Sequence, residues 1–142
     1  MEYEIETFVG AGPIRFGMTA QEVRKALPGP MRSFKRTPNV LVPSDHFTEL
    51  GVIVNYEPTG GVNSIEFTRP SSPTFRGHSL LHETVDQARS FLSLSDPTIE
   101  VDSDGVTSHV LGLGFYALVD DPATNDPGEI LSVIAFKEGY YT

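Results

Sequence analysis

The segment Gly17-Met18-Thr19-Ala20-Gln21-Glu22-Val23-Arg24-Lys25-Ala26-Leu27 constrains the chain more than any other, because its local grammar returns once, much later. Thr19 followed at the third position by Glu22 spells a capping box, in which the hydroxyl accepts the backbone N–H of Glu22 and the carboxylate accepts that of Thr19. Met18 before the cap and Val23 after it are spaced as a hydrophobic staple. Val23, Ala26 and Leu27 form one apolar face, with Arg24 and Lys25 turned away, until Pro28-Gly29-Pro30 ends the helix. Thr84-Val85-Asp86-Gln87-Ala88-Arg89-Ser90-Phe91-Leu92 follows the same order: cap, two fillers, Glu or Gln, apolar, Arg, polar, apolar, Leu. Leu80 and Leu81 leave open whether this second helix begins before Thr84.

The rest reads as strands. Tyr3, Ile5 and Phe8 against Glu2, Glu4 and Glu6 suit a half-exposed first strand, and Ile14-Arg15-Phe16 adds a short extended piece. Met31 to Arg36 is a strand with Met31 and Phe34 inward, and Thr37 to Ser44 is a loop. His46 to Leu50 and Gly51 to Tyr56 follow as strands, with Val52, Val54 and Tyr56 sharing a face. Pro58-Thr59-Gly60-Gly61 turns the chain so that Val62 to Phe67 returns as a hairpin. Arg69-Pro70-Ser71-Ser72-Pro73 makes a seam. Beyond it, Leu111-Gly112-Leu113 echoes Leu50-Gly51-Val52, and Leu131 to Phe136 echoes Val62 to Phe67, Phe136 standing for Phe67. The expectation is one α+β domain over residues 1–142, a mainly antiparallel sheet with two short helices on one face. Its halves, 1–70 and 71–142, would be a pseudo-twofold tandem repeat. The inserted loop from Asp120 to Glu129 breaks that symmetry.

Phe16-Gly17-Met18-Thr19, with Glu22-Val23, Leu27 and then Pro28-Gly29-Pro30 in place of Gly-x-Pro, resembles the opening of small helix-plus-sheet modules. These are the tandem modules of beta-lactamase-inhibitor proteins and the outer-membrane-assembly lipoproteins of the SmpA type. The resemblance implies a helical element packed on an antiparallel sheet and serving protein–protein contact, with no catalytic residues to carry over. The lipidated cysteine of the lipoproteins is missing here, so no membrane anchor is implied. In size, charge and layout the chain is also similar to small acidic bacterial immunity proteins.

Composition narrows the function. The chain has 142 residues and no cysteine, which removes disulfides, zinc-thiolate sites and thiol nucleophiles and suits a reducing cytosol. A mature periplasmic or secreted form is the alternative compartment. Nineteen acidic against ten basic residues give a net charge of -9, which repels phosphate backbones and acidic membranes and attracts a basic protein. Neither nucleic acid nor membrane is therefore an expected partner.

Enzyme motifs are missing: there is no Gly-x-Ser-x-Gly elbow, phosphate loop or His-Glu-x-x-His pair. His78 and His82, four apart, would face one side of a helix with Glu83 or Asp86 as further metal ligands, but they read better as surface polar groups near a helix start. Asp102-Ser103-Asp104-Gly105 is half of a calcium loop and a complete hairpin turn. No metal or cofactor is expected. The candidate partner-binding residues are Asp120, Asp121, Asp126 and Glu129 on the inserted loop, with Tyr116 and the pair Tyr140-Tyr141, Tyr140 foremost, as aromatic anchors. The expected function is a non-catalytic protein-binding protein, inhibitor or immunity-type, that recognises a basic toxin or enzyme. The alternative is a hydrolase or metal-dependent enzyme using His46, His78, His82 or His109.

Thr19→Ala removes the first cap and should lower the free energy of unfolding by about 1 kcal/mol, read from urea denaturation.

Overall fold

The computed structural model describes residues 2–102, 104–117 and 129–141. In chain order the strands are β1 (Glu2–Glu6), β2 (Gly10–Ala11) and β3 (Ile14–Arg15), then helix α1 (Ala20–Ala26). β4 (Met31–Phe34), β5 (Ser44–Phe47), β6 (Val52–Tyr56) and β7 (Val62–Phe67) follow as a meander. β8 (Ser72–Phe75) and β9 (His78–Ser79) lead through a 3-10 turn at Leu80–His82 into helix α2 (Val85–Ser95). β10 (Glu100–Val101), β11 (Gly105–Ser108), β12 (Leu113–Ala117) and β13 (Ile130–Phe136) complete the chain.

The fold is α+β. Eight strands form one antiparallel sheet in the order β10-β11-β12-β13-β7-β6-β5-β4. A smaller sheet, β3-β2-β1-β8-β9, contains one parallel pair, β1 with β8. Each helix precedes a four-strand meander, and the two meanders meet through their last strands, β7 and β13. Both capping boxes are formed: Thr19 Oγ1 accepts from Glu22 N at 3.2 Å, and Thr84 Oγ1 from Gln87 N at 3.1 Å. The second helix begins after Thr84, while Leu80 and Leu81 are buried in the separate 3-10 turn.

One apolar cluster takes Val23 and Leu27 from α1, Ala88 and Leu92 from α2, and Val52, Val54, Ile65, Phe67, Val133 and Ala135 from the sheet. The helices therefore share one face. Tyr3 from the small sheet enters the same cluster, its ring 5.3 Å from Phe67. Among the described residues no helix is long and apolar enough to cross a membrane.

Four readings are corrected in detail. The first strand stops at Glu6, and Phe8 lies in the turn beyond it with φ of 60°. β5 begins at Ser44, inside the expected loop. Pairing of Met31 with Phe47 turns Met31 inward, so by alternation Phe34 faces the other way. Val52 pairs with Phe67 and Leu113 with Ala135, so Phe67 corresponds to Ala135 and the expected match to Phe136 is off by one residue. That slip matters because strand side chains alternate faces. The duplication itself remains a proposal that this shared topology supports.

Arg24, expected to point away with Lys25, reaches back to the sheet. Its Nε and terminal nitrogen donate to the Asp45 carboxylate at 3.1 and 2.9 Å. Ser33 Oγ at 2.8 Å and Tyr56 Oη at 2.7 Å donate to the same fully buried group. Burial opposes ionisation of Asp45, but the hydrogen bonds from Arg24, Tyr56 and Ser33 and the charge of Arg24 outweigh it and hold its pKa below the usual carboxylate range. In the second half, Asp96 closes α2 and accepts from Thr98 Oγ1 at 2.6 Å and Ser108 Oγ at 2.7 Å. Its pKa is lowered too, chiefly by Thr98.

Because both folded pKa values are depressed, their stabilisation is complete above about pH 4 and is lost as pH falls through the folded values. Asp45→Asn should cost about 2 kcal/mol at neutral pH, since Arg24 keeps partial access to water, and should flatten, without abolishing, the loss of stability below about pH 4. Denaturation midpoints across that pH range check both parts.

Candidate protein-interaction surface

The pleat that sends Val54 and Ile65 into the core sends their neighbours to a face that, among the described residues, carries no helix. In register across the sheet, Ile53 lies beside Glu66 and Glu66 beside Ile134, while Asn55 pairs with Ser64 and Ser64 with Phe136. On the first meander this face is a polar network. Ser44 Oγ donates to Asn55 Oδ1 at 2.6 Å, and Asn55 Nδ2 donates to Ser64 Oγ at 3.0 Å and Glu66 Oε2 at 3.1 Å. Arg36 completes it as the ion pair of Glu66, with its guanidinium 5.5 Å from the Phe34 ring centre.

On the second meander the same face is aromatic. Phe136 is only 2% exposed although it points away from the helices, because Tyr140 stacks on it at 5.8 Å and Tyr141 meets it edge-on at 5.0 Å. Gly139, with φ of 83°, folds the chain back to make this possible, and Tyr140 N donates to Lys137 O at 3.2 Å to close the turn. Lys137 is itself held by an ion pair with Glu57. Tyr140 and Tyr141 are 4.9 Å apart and nearly perpendicular, and the His109 ring lies 5.3 Å from Tyr141. Tyr116 lies close enough to Tyr141 to disfavour its ionisation. Burial first, then Tyr116, Tyr140 and Glu66, push its pKa up to about 12, so it is neutral at physiological pH.

The expected site residues divide. Tyr116 and Tyr140 come together through Tyr141, the other member of the expected tyrosine pair. Glu129 sits apart: its carboxylate is 3.4 Å from Arg69, and its backbone bridges to Thr84 at the start of α2. Asp120, Asp121 and Asp126 lie outside the described residues.

The histidines are dispersed over different elements. His46 faces outward on β5, with its ring 6.5 Å from Phe34. His109 follows β11 in a turn that matches the one after β5, where Gly112 N donates to Ser108 O as Gly51 N does to Phe47 O, each at 3.0 Å. His109 thus corresponds in its meander to Thr48, one turn position beyond the strand, whereas His46 lies within β5. His78 on β9 binds Glu83 at 2.6 Å and stacks on Phe91 at 3.5 Å, and His82 binds Ser79 at 2.8 Å. The two are not on one helix. Among the described residues no group of three or more His, Asp or Glu could hold a metal ion. Asp102 Oδ1 accepts the N–H groups of Asp104 and Gly105 at 2.8 and 2.9 Å, closing the β10–β11 hairpin.

Comparison with protein-family models, curated proteins and solved structures finds no match to this chain.

Phe8 and Gly112 brace the aromatic end of this face. A Cβ on Gly112, whose φ is 70°, would lie 2.8 Å from the Phe8 ring and 3.2 Å from Phe136 O. Gly112→Ala should therefore destabilise by about 1–3 kcal/mol. Gly60→Ala should cost less, because its φ of 103° is strained for alanine but nothing lies within 4 Å. Urea denaturation of the two variants gives the comparison.

Proposed function

We propose that this chain is a non-catalytic binding protein of the inhibitor or immunity type, which covers a basic site on a protein partner with the helix-free face of its large sheet. The observation that carries the reading is the tyrosine cluster. Tyr116 and Tyr141 are 45% and 48% exposed on a braced sheet, and Tyr140 packs beside them over Phe136. Large aromatic side chains held in place lose little entropy on binding and are the usual anchors of interfaces. The net charge of -9 gives the sign of the partner. The acidic loop carrying Asp120, Asp121, Asp126 and Glu129 would steer that partner, and a reducing cytosol is the compartment the reading favours. The hydrolase or metal-dependent alternative would need His46, His78, His82 or His109 to converge, and they lie on separate elements.

A partner captured by pull-down from the native organism supplies the test. Replacing Asp120, Asp121, Asp126 and Glu129 by their amides should slow association several-fold and flatten its salt dependence, with stability nearly unchanged. Tyr116→Ala and Tyr140→Ala should each weaken binding by about 2 kcal/mol, mainly through faster dissociation. Recovery of no protein partner, or of one whose binding ignores both sets of changes, rejects the reading.

A further inference from the structure

Where β13 ends, an open pocket of about 260 Å³ is walled by Phe8, His109, Phe136, Glu138, Tyr140 and Tyr141. Five of these present rings. Tyr141 stands nearly perpendicular to both Phe136 and Tyr140, at 87° and 83°, so the walls meet as corners rather than a flat stack. The pocket is braced from outside by Phe8, a non-glycine residue held at φ of 60° with its ring against Gly112. Such strain persists only where surrounding structure enforces it, and it concentrates at binding sites.

The charges point one way. Glu138 is exposed, and among the described residues it has no ion pair. The neighbouring Lys137 is committed to Glu57, and His109 Nε2 lies 3.1 Å from Glu100. Aromatic faces carry negative potential, so a carboxylate beside several of them favours a cation. A guanidinium fits better than an ammonium, being flat, weakly hydrated and able to stack on one ring while its edge meets a carboxylate.

We propose that this pocket receives an arginine side chain of the basic protein partner, stacked against Tyr140 and Tyr141 above the Phe136 floor, with Glu138 as its counter-charge. The inference rests on the protein-binding reading and adds the chemistry of its anchor.

Titration of isotope-labelled protein with acetyl-Gly-Arg-Gly-amide, followed by NMR, tests it against the same peptide carrying citrulline, which has nearly the same shape and no charge. Saturable shifts are expected at Phe8, Phe136, Glu138, Tyr140 and Tyr141, with the citrulline peptide weaker by at least about fivefold. Tyr140→Leu keeps apolar cover over Phe136 but removes a ring, and should weaken the arginine peptide by about fivefold as well. Glu138→Gln, at an exposed position that cannot upset the core, should weaken it by about threefold. Equal affinity for the two peptides, shifts centred elsewhere, or no saturable shift overturns the proposal. The protein-binding reading fails separately, when no partner is captured; a captured partner that binds both variants as well as wild type removes only the pocket.

Discussion

The pairing of β7 with β13 organises both faces of the molecule. Each is the last strand of its meander, so their antiparallel contact is what joins two four-strand units into one eight-stranded sheet. Phe67 beside Val133 and Ile65 beside Ala135 continue the core across the join, while Glu66 beside Ile134 and Ser64 beside Phe136 continue the opposite face. A slip of one residue would exchange those sets, putting Glu66 into the core and Phe67 into water. The same register therefore buries the apolar face under two helices and delivers a polar network next to an aromatic cluster on the other.

The helices are fastened to that sheet by buried carboxylates, and the two halves use them differently. In the first, Asp45 projects from β5 and draws Arg24 of α1 down onto it, with Ser33 and Tyr56 satisfying the remaining acceptor positions. In the second, the carboxylate belongs to the helix end: Asp96 reaches Ser108 on β11 and Thr98 in the following loop. Four donors against one carboxylate offset the desolvation of Asp45, which unpaired would be costly to bury. Arg89, the counterpart of Arg24 in sequence order, has no such task and pairs with Asp86 on its own helix surface. Shared topology does not oblige the two halves to share their polar chemistry.

What could be read from sequence was the part governed by neighbours along the chain. The capping boxes at Thr19 and Thr84, a tight hairpin near Asp104 and the alternation through Val52, Val54 and Tyr56 all depend on a few consecutive residues and are present in the fold, although Gly105 belongs to β11 and not to the corner of its turn. Asp45 was invisible because its partners, Arg24, Ser33 and Tyr56, are scattered in sequence; a lone acid in a short run ending in buried Phe47 was the available signal. Phe34 was misassigned because strand alternation gives its face only once one residue is anchored, and Met31 was the correct anchor. Tyr140 and Tyr116 look unrelated along the chain and meet through Tyr141 only because Gly139 turns the segment after β13 back on itself. Phe8 looked like the end of a strand, and its role as a brace depends on Gly112, distant in sequence.

In the proposed complex, the acids between Asp120 and Glu129 and the aromatic face would act over two ranges. Exposed carboxylates act over roughly a Debye length, about 8 Å at physiological salt, so they shape the approach of a partner more than the lifetime of the complex. Stacked rings act only at contact, and a cation held between them resists salt because water is excluded. Two cations of this region are already matched: Arg36 on the face to Glu66, and Lys137 at its margin to Glu57. An incoming positive group therefore meets no competing free charge from those two residues. In the proposed complex selectivity would come from the rings, whose spacing is set by the Phe136 floor and the Gly139 turn, and a partner with charge but no flat cationic side chain would gain the approach without the anchor.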